Sequence, residues 1–156
     1  MNGSPAVLDA LNEILTAELT TINQYFVHAK MLENWGFDHL AEKIRDESIE
    51  EMKDADKVIS RILYLDGVPN MQRLDPVRVG ETPLEQLELA LVTETEAIAR
   101  YNQAVELART EGDNGTRELL EDLLVGEEEH ADWLEAQLEL VRQVGVENYL
   151  SQQIRD

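Results

Sequence analysis

Glu127 and His130, in the run Gly126-Glu127-Glu128-Glu129-His130, are the pair whose types and spacing best suit chemistry. Residues three apart on a helix share a face, so Glu-x-x-His offers one metal ion both a carboxylate and an imidazole. The motif alone is weak, because 33 of the 156 residues are acidic. Its weight comes from a repeat. Glu51 and Asp54 stand 76 residues before Glu127 and His130, and Glu18 stands the same distance before Glu94.

Helices must position these groups, and the periodicity predicts four. Ser4-Pro5 is a helix start, after which Leu11, Leu15, Glu18, Ile22, Tyr25, Ala29 and Leu32 alternate steps of four and three, the seam of a helical bundle. Asn34-Trp35-Gly36 closes this helix. The second carries Leu40, Ile44, Glu47, Glu51, Asp54, Val58 and Ile62, with three acids in one inward stripe. Residues 65–81 hold two of the four prolines and no helical period. Extended, they reach about 55 Å, enough to run the length of a bundle whose helices measure about 42 Å.

Thr82-Pro83-Leu84-Glu85 restarts the helix with a capping box. The third seam, Leu87, Leu91, Glu94, Ile98, Tyr101, Val105 and Ala108, reproduces the first at five of its seven positions. The turn at 111–115 leads to a fourth helix bearing Leu120, Leu123, Glu127, His130, Leu134, Leu138 and Val141. The expected fold is all-α, a ferritin-like four-helix bundle with a long crossover between helices two and three and a short fifth, C-terminal helix. Residues 1–156 form one domain in this reading: a hairpin over about 5–64, a crossover over about 65–81, a hairpin over about 82–143 and a short helix over about 146–153.

That arrangement aims Glu18, Glu51, Asp54, Glu94, Glu127 and His130 at the bundle axis. Several buried ionised carboxylates are costly unless something compensates them. Cations do so, and oxygen-rich ligation with one imidazole suits iron or manganese, with zinc also able to bind. Two metals bridged by Glu51 and Glu127, with Glu18 and Glu94 as terminal ligands, use the acids in the di-iron carboxylate pattern.

The chain resembles bacterioferritin from Met1 to about Ile154. The matching text includes NQYFVHAKMLENWGF at 23–37, ESIEEMKDAD at 47–56, RILYLDGVPN at 61–70 and GEEEHADWLEAQLEL at 126–140. The resemblance implies a hollow 24-subunit shell that oxidises Fe(II) at an intrasubunit di-iron centre and stores Fe(III) mineral inside. It carries Glu18, Glu51, Glu94, Glu127 and His130 over as ligands and catalytic residues.

One position departs from the family pattern, which has a second ligating histidine where this chain has Asp54. The shorter side chain and the added negative charge beside Glu51 lead to an expectation: the metal position served by Glu18 and Asp54 binds less tightly or with altered geometry, or stands empty while the His130 position fills. Tyr25, two turns from Glu18, is either a core aromatic whose hydroxyl finds a partner such as Glu47 or, by resemblance, an electron donor. Tyr101 shares that ambiguity. His28 and His39 lack ligand partners at helical spacing and read as surface or packing residues.

The second helix has another apolar line, Ile49, Met52, Ile59 and Leu63, matched by Leu19 and Phe26 on the first. A helix apolar on two sides is covered on both, so this face is expected to meet a second subunit. The resemblance implies a b-type haem held there by two copies of Met52, through a soft, polarisable thioether. The alternative is a methionine filling an interface gap. Arg45, two turns earlier, is on hand for a haem propionate.

Composition narrows the classes. There are no cysteines, which excludes disulfides, thiolate iron sites and a rubrerythrin-like peroxidase. A net charge of −20 and the lack of a basic tail argue against nucleic acid, an anionic membrane and a DNA-protecting ferritin-like protein. No run approaches 18 apolar residues and MNGSPAVLD lacks a signal peptide's basic start, so a soluble cytoplasmic protein is expected. Its substrates would be Fe(II) and oxygen or peroxide, its assembly a homo-oligomer or a shell mixed with a second chain. The competing reading is a haem-carrying structural subunit, its ferroxidase centre impaired by Asp54, that co-assembles with an active partner.

Overall fold

Ser4 opens the first helix by accepting the Val7 N–H on its Oγ at 3.4 Å, with Pro5 in the first turn. In the computed structural model, which describes residues 1–154, the helix α1 then runs unbroken over Pro5–Asn34. Gly36 makes the following turn with φ +90°, a backbone region open to glycine without strain, and α2 spans Asp38–Tyr64. Thr82 Oγ1 accepts the Glu85 N–H to start α3, Pro83–Thr110. Gly112, 76 residues after Gly36, repeats the left-handed turn with φ +74°. Asp113 then caps α4, Asn114–Val144, by accepting the Thr116 N–H at 3.0 Å. Gly145 separates it from the short α5, Val146–Ser151. No strand occurs among the described residues, and none of their helices is long and apolar enough to cross a membrane.

The helix α1 packs against α2 and α3, and α3 against α4. Arg61 closes one end by reaching from α2 to Asp113 Oδ1 and Thr116 Oγ1, both at 2.9 Å. Two apolar plugs fill the interior. Val7, Leu11, Leu15, Val58, Ile62, Tyr101 and Leu120 belong to one; Tyr25, Leu32, Leu40, Ile44, Leu87 and Leu134 belong to the other. Each fully buried leucine contributes about 1.5–3 kcal/mol relative to exposure. The plugs leave a polar layer between them, and each sends one tyrosine hydroxyl into it.

Residues 65–82 form the crossover, which α1 holds at three rungs eight residues apart. Asn12 accepts the Asn70 N–H at 2.8 Å and donates to the Val68 carbonyl at 3.2 Å. Thr20 Oγ1 accepts the Asp75 N–H at 3.0 Å. His28 Nε2 accepts the Gly80 N–H at 2.9 Å. Eight helical residues rise about 12 Å, so the crossover follows α1 along most of its length. His28 is therefore a buried anchor, a more definite role than the packing residue its spacing suggested.

Candidate metal centre

The polar layer is built from α1, α2, α3 and α4. Glu18, Glu51, Glu94, Glu127 and His130 are all buried, while Asp54 is half-buried. Carboxylate oxygens of Glu18, Glu51, Asp54 and Glu127 lie within 4.8 Å of one another. Glu94 and His130 stand beside this group as a pair, His130 Nδ1 lying 3.0 Å from Glu94 Oε1. Glu127 joins the two halves through contacts with Glu51 and Glu94, and Glu51 in turn meets Glu18. All six side chains singled out from the sequence thus meet in one continuous layer.

The tyrosines hold the layer from either side. Tyr25, on α1, donates to Glu94 Oε1 of α3 at 2.5 Å; Tyr101, on α3, donates to Glu18 Oε1 of α1 at 2.6 Å. Tyr25 therefore pairs with Glu94 and not with Glu47, the partner suggested by their seams. Glu47 sits at the edge, 2.9 Å from Lys43 Nζ and 3.5 Å from His130 Nδ1, because α2 and α4 leave a cleft of about 310 Å³ rather than a packed seam. Trp133, which no ligand spacing marks, stacks on His130 with ring centroids 6.0 Å apart, and Lys43 Nζ lies 4.9 Å from its ring. Its place one turn after His130 was the available signal.

Burial drives the electrostatics. It raises Glu18 and lifts Glu51 well above the usual carboxylate range, with Glu18 and Glu127 adding like-charge repulsion to Glu51. Burial, with the Glu94 contact behind it, pushes Glu127 up to about 12. Asp54 rises to about 7, through burial first and then the charge of Glu18. Glu94 goes the other way: burial alone would raise it, but hydrogen bonds with Glu127, His130 and Tyr25 outweigh that and lower its pKa. Without cations the layer keeps protons on some of its acids.

The donor set fits cations. Glu18 Oε2, Glu94 Oε2 and His130 Nε2 are buried and find no hydrogen-bond partner among the described residues. Buried polar atoms are rarely left so in native proteins, and free carboxylate oxygens facing one another are what a positive ion satisfies.

The second apolar face lies away from this layer. Met52 is 57% exposed, and Phe26, Ile49 and Leu63 are exposed with it. Leu19 and Ile59 are half-buried against the core beneath.

Two helical hairpins joined by a long crossover, with glutamates from all four helices converging between them, define a ferritin-like bundle. The sequence matches the ferritin-like domain family over residues 8–144. It is 51% identical over 152 residues to the bacterioferritin of Mycolicibacterium paratuberculosis, covering 97% of this chain and 96% of that one. Identity to the bacterioferritin of Mycobacterium avium is 50% with the same coverage. For that of Rhodobacter capsulatus it is 44% over 149 residues, or 96% and 92% of the two chains. The chain belongs to the bacterioferritin family.

Proposed function

We propose that this protein stores and detoxifies iron, oxidising Fe(II) at the carboxylate layer and depositing Fe(III) mineral inside a shell of its own copies. The observation that carries this reading is the buried meeting of Glu18, Glu51, Asp54, Glu94, Glu127 and His130 with unpartnered oxygens among them. Glu51 and Glu127 are the bridging pair, Glu18 and Asp54 serve one ion, and Glu94 and His130 serve the other. Two Fe(II) ions give up one electron each, and the two electrons with two protons reduce oxygen to hydrogen peroxide, or peroxide to two waters.

Tyr25 is suited to supply a further electron. Its hydroxyl proton already rests against Glu94 Oε1, so removing an electron from the ring has a proton acceptor in place. The cleft between α2 and α4, lined by Glu47, Glu50 and Glu129 beside the ligands, attracts cations by its charge.

The exposed apolar face suits a dimer interface, and an exposed thioether within it suits haem. Met52 from each of two subunits would hold the group, with Phe26, Ile49 and Leu63 excluding water around it. When bound, haem supplies one-electron chemistry.

An anaerobic Fe(II) titration of the purified assembly, with haem absorption recorded in the same sample, tests the reading. Two ions per subunit and oxidation on admitting oxygen are the expected result. A homopolymer that binds no Fe(II) at the layer overturns it. A homopolymer that carries haem but oxidises iron only when mixed with a second chain favours the structural-subunit alternative.

A further inference from the structure

We propose that the Glu18/Asp54 half of the centre selects trivalent over divalent cations, holding an oxidised ion that the His130 half lets go. The inference rests on the metal-centre reading above and deepens it. Its ground is the asymmetry of the layer. The four side chains within 4.8 Å of one another, Glu18, Glu51, Asp54 and Glu127, offer oxygen alone. The imidazole is across the layer, committed to Glu94 at 3.0 Å.

Acidic side chains in a group would not by themselves make a site. Glu18 is 97% buried by accessible surface, with Tyr101 holding Oε1 while Oε2 meets no donor among the described residues. It offers an oxygen to the group, so a ligand-ready atom is fixed where an ion would sit.

Charge and donor hardness then point the same way. Glu18, Glu51, Asp54, Glu94 and Glu127 are five carboxylates, whose full ionisation exceeds the charge of two divalent ions by one. One trivalent and one divalent ion balance it. An imidazole at position 54 would leave four carboxylates, which two divalent ions balance without remainder. In a buried site an unbalanced unit charge is disfavoured, so the aspartate shifts the preference toward the higher charge. Lys57, one turn on, is exposed, and solvent screens it. Oxygen-only ligation also favours hard ions, of which the trivalent ones are the harder. A held oxidised ion would slow turnover, so Asp54 would impair oxidation by retaining product rather than through the looser binding expected from its shorter side chain.

The test uses redox-inert probes on the metal-free assembled protein: Ga(III) supplied as citrate, and Zn(II). Affinities are compared in wild type, Asp54→His and Asp54→Asn, the last keeping the shape while removing the charge. The Ga(III)-to-Zn(II) affinity ratio is expected to be higher in wild type than in either variant by at least about tenfold, a unit charge at a few ångströms allowing more than this before screening. Anomalous scattering should locate Ga(III) between Glu18 and Asp54. Equal ratios in all three proteins, or Ga(III) beside His130, overturn the inference while leaving the metal centre standing. Failure of wild type to bind either probe at the layer overturns both.

Discussion

Tyr101 reaches from α3 to donate its hydroxyl to Glu18 Oε1 on α1 at 2.6 Å, and Tyr25 returns the contact from α1 to Glu94 on α3 at 2.5 Å. Each hairpin thus fixes a carboxylate belonging to the other. The reciprocity follows from the repeat, since both tyrosines stand seven residues beyond a seam glutamate, and from the direct packing of α1 on α3.

Tyr101→Phe should therefore cost the metal-free protein about 1–3 kcal/mol, the usual penalty for leaving a buried acceptor unmet. Urea denaturation measures it. A loss below about 0.5 kcal/mol would show that the phenol does not hold Glu18.

Glu127→Gln separates stability from binding. Burial and Glu94 push this carboxyl up to about 12, so near neutral pH the side chain is already uncharged and an amide replaces it with little change of charge. Stability of the metal-free variant should stay within about 1 kcal/mol of wild type. Anaerobic Fe(II) uptake should fall to about half or less, because in the proposed centre Glu127 would bridge and so serve both ions. A variant that keeps full uptake would remove Glu127 from the ligand set.

The repeat makes most of this legible in the sequence. Five of seven seam positions recur in α1 and α3, and the same offset of 76 makes Glu94 the counterpart of Glu18 and Glu127 the counterpart of Glu51. Pairing partners were not legible, because a seam fixes which face is inward and not which neighbour it meets. Hence the seams allow Tyr25 a partner such as Glu47, whereas the packing of α1 on α3 brings it to Glu94. The Asn12, Thr20 and His28 rungs were hidden for a different reason. Their partners are backbone groups of residues 68–80, a segment without periodicity, so no spacing in the sequence records them.

Met52→Leu should leave folding unchanged, since the side chain is 57% exposed and a leucine preserves apolar area. It should abolish the Soret absorption of haem-supplied protein, because a hydrocarbon cannot ligate iron. Wild-type absorption in the variant would assign Met52 to gap-filling alone.

His28 predicts a pH dependence that the carboxylate layer does not share. Burial lowers its pKa from 6.5 to about 4, partly countered by a backbone hydrogen bond with Arg78. Its Nε2 must be unprotonated to accept the Gly80 N–H at 2.9 Å. Between pH 6.5 and 4 the unfolded chain binds a proton at this position that the folded chain refuses, so stability falls as pH drops through that window. His28→Phe removes both the latch and the titration. The stability gap between wild type and variant, measured by denaturant unfolding, should be widest above pH 6.5 and close as pH approaches 4. Contributions from the acids are common to both proteins and cancel in the difference. A gap that stays constant across the range would mean that His28 holds the crossover by packing alone.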